Sequence, residues 1–120
     1  MNDIVHNPVD VEAAIRKVSD HISKGVAVCD ERYRLMLQAE HRYDVAYAQA
    51  YLGHAGPAHE KKYAAELATQ RERHDRDEAD AAHRYADRRA RALENELRAL
   101  QSVGASIRAM FGAAGTGVGA

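Results

Sequence analysis

The chain has 120 residues and a mass of 13.2 kDa, the size of one domain at most. Apolar residues make up 46 % but lean on alanine, aromatics make up 6 % without tryptophan, and the formal net charge is −1. No run approaches the ~18 uncharged apolar residues of a membrane span, and the lone Cys29 excludes an internal disulfide framework.

In chain order, residues 1–6 read as a flexible amino-terminal tail. Asn7-Pro8 then reads as a helix start, with Asn7 as N-cap, Pro8 at the first helical position, and Asp10 and Glu12 near the positive end of the helix dipole. From there an apolar seam recurs at steps of three and four: Val11, Ile15, Val18, Ile22, Val26, Cys29, Tyr33, Met36, Glu40, Tyr43, Tyr47, Ala50, broken only by Glu40. A 3.5-residue repeat held over this length predicts one long coiled-coil-like helix over about 8–52. Gly25 inside it costs roughly 1 kcal/mol relative to alanine, which marks a flexible point or a tight crossing.

Gly53-His54-Ala55-Gly56-Pro57 is the clearest break, with glycine ending one helix and proline opening the next. A second helix is expected over about 58–110. It carries a stripe of small residues (Ala65, Ala68, Ala79, Ala82, Ala86, Ala90) and then larger groups at Leu93, Leu97, Leu100, Gly104, Ile107 and Phe111. The interval Gln70–Glu78 has no apolar residue, so it is solvated or lies across a partner through ion pairs. The glycine-rich residues 112–120 are expected to form a disordered tail.

The fold class expected is therefore all-α: a long antiparallel helical hairpin within residues 7–111. Two helices alone leave apolar surface uncovered, so the hairpin is expected to assemble into a homo-oligomeric bundle or ring. Leu93, Leu97, Leu100, Ile107 and Phe111 are the candidate interface.

Charge is uneven along the chain. Residues 1–60 carry nine acids against six Lys/Arg, giving −3, and residues 61–120 carry nine against eleven, giving +2. Arg84, Arg88, Arg91, Arg98 and Arg108 recur on the second helix. They read either as a solvated face laced with ion pairs to Asp87, Glu94 and Glu96, or as a stripe contacting phosphates. Tyr43, Tyr47 and Tyr51 form an i, i+4 ridge. A fold about residue 55 sets Tyr47 opposite Tyr63 and Tyr43 opposite Leu67. The ridge either packs the hairpin tip or, with Lys61 and Lys62 beside Tyr63, offers Tyr47, Tyr51 and Tyr63 for base stacking.

No zinc-type Cys cluster, Gly-x-Gly-x-x-Gly or P-loop string occurs, and no Glu-x-x-His signature accompanies the seven histidines. The histidines read as solvent-facing groups, and Cys29 as a small buried hydrophobe. No catalytic residue, metal or cofactor is expected, and the chain reads as no enzyme. Met1-Asn2-Asp3-Ile4 lacks the basic and apolar regions of a secretory signal, and a single cysteine suits a reducing compartment, so a cytoplasmic location is expected.

Two stretches carry a resemblance. The first is Tyr43-Asp-Val-Ala-Tyr-Ala-Gln-Ala-Tyr-Leu-Gly-His-Ala-Gly56 followed by Glu60-Lys-Lys-Tyr-Ala-Ala-Glu66. The second is Ala92-Leu-Glu-Asn-Glu-Leu-Arg-Ala-Leu-Gln-Ser-Val103 followed by Ser106-Ile-Arg108. Their order, over roughly residues 40–110, resembles the phage UvsY-like recombination mediators. The resemblance implies a homo-oligomer that binds single-stranded DNA in the host cytoplasm. It further implies help in loading a RecA-like recombinase onto DNA covered by single-strand-binding protein. Lys61 and Lys62 match that family's basic pair after the turn, and Arg98 and Arg108 its terminal box. Two other classes stay open. One is a coiled-coil scaffold that binds only protein. The other is a small secreted helical hairpin, which Tyr51-Leu-Gly53 resembles in its mid-chain turn.

Overall fold

The computed structural model describes residues 7–118, with side chains described as far as Gly112. The expected tail at residues 1–6 lies outside the described residues, as do residues 119 and 120. The described residues are helical throughout apart from short connections, and none forms a strand. Helix α1 spans Pro8–Gly53, a 3-10 turn spans Ala58–Glu60, α2 spans Lys61–Ala68, and α3 spans Gln70–Val118. None of the helices among the described residues is long and apolar enough to cross a membrane.

The start of α1 follows from its first four residues. The Asp10 amide donates to Asn7 Oδ1 at 2.9 Å, and Asn7 Nδ2 donates back to Asp10 Oδ2 at 2.9 Å. This reciprocal arrangement satisfies one of the amides that the first helical turn leaves without an intrahelical partner. Pro8 has no N–H to satisfy there.

The second helix is not continuous. Thr69 (φ −116°, ψ 22°) separates α2 from α3. Its hydroxyl donates to the Ala65 carbonyl at 2.6 Å, and its amide reaches the same oxygen at 3.1 Å. A threonine hydroxyl bonded back to the carbonyl four residues earlier competes with the regular ladder and bends the helix. Thr69 is buried, so the bond is sheltered from water. Pro57 also takes a different place from the one expected: at ψ 153° it precedes the 3-10 turn instead of opening an α-helix. The charged interval after Thr69 is helical within α3. At the far end α3 continues to Val118 and does not stop near 110. No proline follows Met110, and Ala113 and Ala114 favour the helical state.

The chain forms two compact units. Among the described residues, the first comprises those up to Val26 with those from Arg88 on, and the second Ala27–Asp87. In the first unit Val11 is 1 % exposed, and Val18, Leu93 and Ile107 are also buried. The close approach in this unit is at Gly104, not Gly25. A β-carbon on Gly104 would lie 3.0 Å from Val11 Cγ1, whereas one on Gly25 would meet nothing within 4 Å.

In the second unit the chain folds back on itself, and the residues it buries are small: Ala39, Ala65, Thr69 and Ala86. The inner seam of α1 here runs through Met36, Ala39 and Tyr43, while Glu40 is exposed. The seam therefore steps past the one charged residue that the expected pattern placed on it. The facing residues also differ. Tyr43 lies under the Arg76 guanidinium, 4.4 Å from ring centroid to Cζ, and Tyr33 meets His83 at 5.3 Å. Leu67 and Tyr63 instead point outward, at 70 % and 62 % exposure. Because α1 ends at Gly53 and α2 begins at Lys61, the reversal is centred past residue 55 and the partners of α1 lie further along the chain than a simple fold about that residue allows.

Candidate nucleic-acid interface

In the first unit the inward seam of α3 runs Ala90, Leu93, Leu97, Leu100, Gly104, Ile107, at steps of three and four. At ~3.6 residues per turn, Arg88, Arg91, Asn95, Arg98 and Ser102 then fall on the side turned away from it. All five are exposed. Glu94 and Glu96 lie on the two flanks, so no carboxylate sits on that outer line. Arg98 Nη2 donates to Asn95 Oδ1 at 2.8 Å, which holds the guanidinium along the helix surface. Such a face can take the phosphates of an extended strand through Arg side chains and neutral hydrogen-bonding groups.

Arg108 is placed differently. Its Nη1 lies 3.4 Å from where a Gly104 β-carbon would stand, so its head folds back toward the seam beside Val11. Arg84 belongs to the second unit, where its Nε donates to Asp80 Oδ2 at 2.9 Å across one turn. The expected five-arginine line is thus three residues on the outer face of the first unit, one residue curled to the seam, and one paired in the second unit. The seam positions themselves carried the signal that separates Arg108 from the others, because it follows Ile107 directly.

The tyrosine ridge is engaged within the second unit. Ring centroids of Tyr43 and Tyr47 are 5.9 Å apart, and those of Tyr47 and Tyr51 6.3 Å apart. Lys61 Nζ stands 5.9 Å from the Tyr51 centroid. The rings of Tyr47 and Tyr51 therefore stack on each other with the Lys61 ammonium over Tyr51, while Tyr63, next to the exposed Lys62, keeps its ring open to solvent. Sequence reasoning missed Arg76, whose cation covers Tyr43 from the stretch without apolar residues. That contact is how the stretch packs without grease: a cation over an aromatic face replaces an apolar knob.

Of the residues expected at an oligomer interface, Leu93 and Ile107 are buried and Leu97 and Leu100 are half-buried within the chain's own first unit. The seam turns these four inward, and Gly104 lets Val11 approach α3 there. Phe111 is 55 % exposed. At the turn of the second unit, His54 Nε2 and Glu60 Oε1 stand 3.2 Å apart over Gly56, so a side chain on that glycine would make both side-chain ends shift. Among the described residues, no three His, Cys, Asp or Glu side chains converge. No family model, curated protein or solved structure matches the chain.

Proposed function

We propose that the chain is a non-enzymatic, self-assembling recombination accessory that binds single-stranded DNA and helps a RecA-like recombinase displace single-strand-binding protein. The observation that carries the nucleic-acid part is the outer line of α3 in the first unit, where Arg88, Arg91 and Arg98 share one exposed face with the neutral Asn95 and Ser102. Repetition of that line in an oligomer multiplies it, which offsets the near-zero charge of one copy. In the second unit, Lys62 and Tyr63 supply a cation beside an open ring, the pairing that holds an unstacked base and its backbone. The recombinase, the single-strand-binding protein and a place in the bacterial cytoplasm come from the resemblance of residues 40–110 to the UvsY-like mediators.

The test is fluorescence anisotropy of a labelled single-stranded oligonucleotide across a salt series, with duplex of the same sequence alongside. Three phosphate contacts per copy predict a slope of log K against log salt of about −2 for each subunit engaged. Arg88→Gln/Arg91→Gln/Arg98→Gln flattens the slope, and Lys62→Ala/Tyr63→Ala weakens binding with less change in slope. An identical salt response in wild type and the arginine variant removes this face from the interface. The reading as a protein-binding scaffold is favoured by Arg84 and Arg98 being held by Asp80 and Asn95. It predicts no binding at low salt.

A further inference from the structure

Helix α1 carries a second apolar line in the second unit. Leu37, Val45 and Leu52 are exposed, Leu52 by 76 %, and with His41 and Ala48 they follow one another at steps of four, four, three and four. At ~1.5 Å per residue the line is about 22 Å long, on the side opposite the inner seam of Met36, Ala39, Tyr43, Ala46 and Ala50. The buried residues of this unit, Ala39, Ala65, Thr69 and Ala86, include no large apolar side chain, while these three sit in water. A helix apolar on two opposite sides is a helix with two neighbours.

The charges beside the line decide what the second neighbour is. One flank carries Glu40 and Asp44; the other carries Arg42 with Gln38 and Gln49, all exposed. A second copy laid parallel against the line, about a twofold axis running along the helices, sets the acidic flank of each copy against Arg42 of the other. An antiparallel copy centred on Val45 sets Asp44 against Asp44. Like charges across a helix pair penalise that arrangement, and opposite ones select the first. We infer that two copies of this chain pair in parallel through Leu37, His41, Val45, Ala48 and Leu52 of α1, each residue meeting its own counterpart. This rests on the self-assembly reading above and gives it a surface and a direction.

Cross-linking tests it. In a Cys29→Ser background, Leu52→Cys chains oxidise to a covalent dimer, because a parallel twofold brings the two positions within the ~4.4–6.8 Å Cα spacing of a disulfide. When tagged Leu37→Cys chains and untagged Leu52→Cys chains are mixed, only like-with-like products form. A mixed product overturns the parallel pairing. Val45→Glu/Leu52→Glu halves the light-scattering mass with unchanged helical circular dichroism, and the milder Val45→Ser/Leu52→Ser shifts dissociation to higher protein concentration. If wild type is oligomeric and the Glu and Ser pairs leave its mass unchanged, this surface is refuted while self-assembly stands. A wild-type monomer at every concentration refutes both.

Discussion

Two glycines of the first unit, placed in helices of the same kind, should respond to alanine in opposite directions. Gly25 lies in α1 with space for a β-carbon on every side, and no described glycine has positive φ. Gly25→Ala therefore gains helix propensity without a clash, about 0.5–1 kcal/mol. On a chain of this size that raises the thermal midpoint by roughly 2–4 °C. Gly104→Ala gains the same propensity but drives a methyl to 3.0 Å from Val11 Cγ1. Overpacking of that kind costs about 1–3 kcal/mol, so the net change is a loss of up to about 2 kcal/mol. Val11→Ala alone removes buried methyl groups and costs about 2 kcal/mol. In the double variant the methyl introduced by Gly104→Ala occupies part of the space Val11 vacates, so the loss falls short of the sum by about 1 kcal/mol. Circular-dichroism melts at one fixed protein concentration measure all four, since the proposed association would make the midpoint concentration-dependent. Equal stabilisation by both glycine substitutions, or strict additivity of the pair, would refute the close crossing at Gly104.

Other substitutions separate the remaining contacts. Thr69→Val removes the hydroxyl bond to Ala65 but leaves the amide on the same carbonyl. A loss of no more than about 1 kcal/mol in denaturant titration is expected. A larger loss would mean the break at Thr69 holds more of the unit than this one bond. Arg76→Ala uncovers the Tyr43 ring and costs about 0.5–1 kcal/mol, whereas Tyr43→Phe, which keeps the ring face, costs less; the reverse order in melts would discard the cation–ring contact. Asp20→Asn, which breaks the exposed pair with Lys24 at 2.9 Å, is expected to move stability by under about 0.5 kcal/mol and to lose even that in high salt.

Much of the helical layout was legible because it depends on local chemistry. The Asn7-Pro8 start needs only four residues to specify, and a 3.5-residue repeat from Val11 to Ala50 leaves no alternative to a long helix. The break at Thr69 was not legible. It depends on a hydroxyl turning inward to a carbonyl, and an isolated threonine between Ala68 and Gln70 looks like any helix surface residue. Register failed for a different reason. Counting symmetrically from residue 55 assumes a tight reversal there, whereas α1 ends at Gly53 and α2 begins only at Lys61, which centres the reversal further along the chain. Of the candidate site, the residue types were legible, and so was the seam that sets Arg108 apart, while the partners of the tyrosine rings were not. Arg88, Arg91 and Arg98 differ from Arg108 only by where the seam falls, and Tyr47 and Tyr51 differ from Tyr63 only by which rings find neighbours.

The central claim is that one copy leaves too much apolar helix surface uncovered to remain alone. Multi-angle light scattering on a dilution series of the full chain in physiological salt tests it. The account predicts a mass that is a whole multiple of 13.2 kDa and falls only at high dilution, with helicity falling alongside. A fully helical species of 13.2 kDa across the whole series would contradict it.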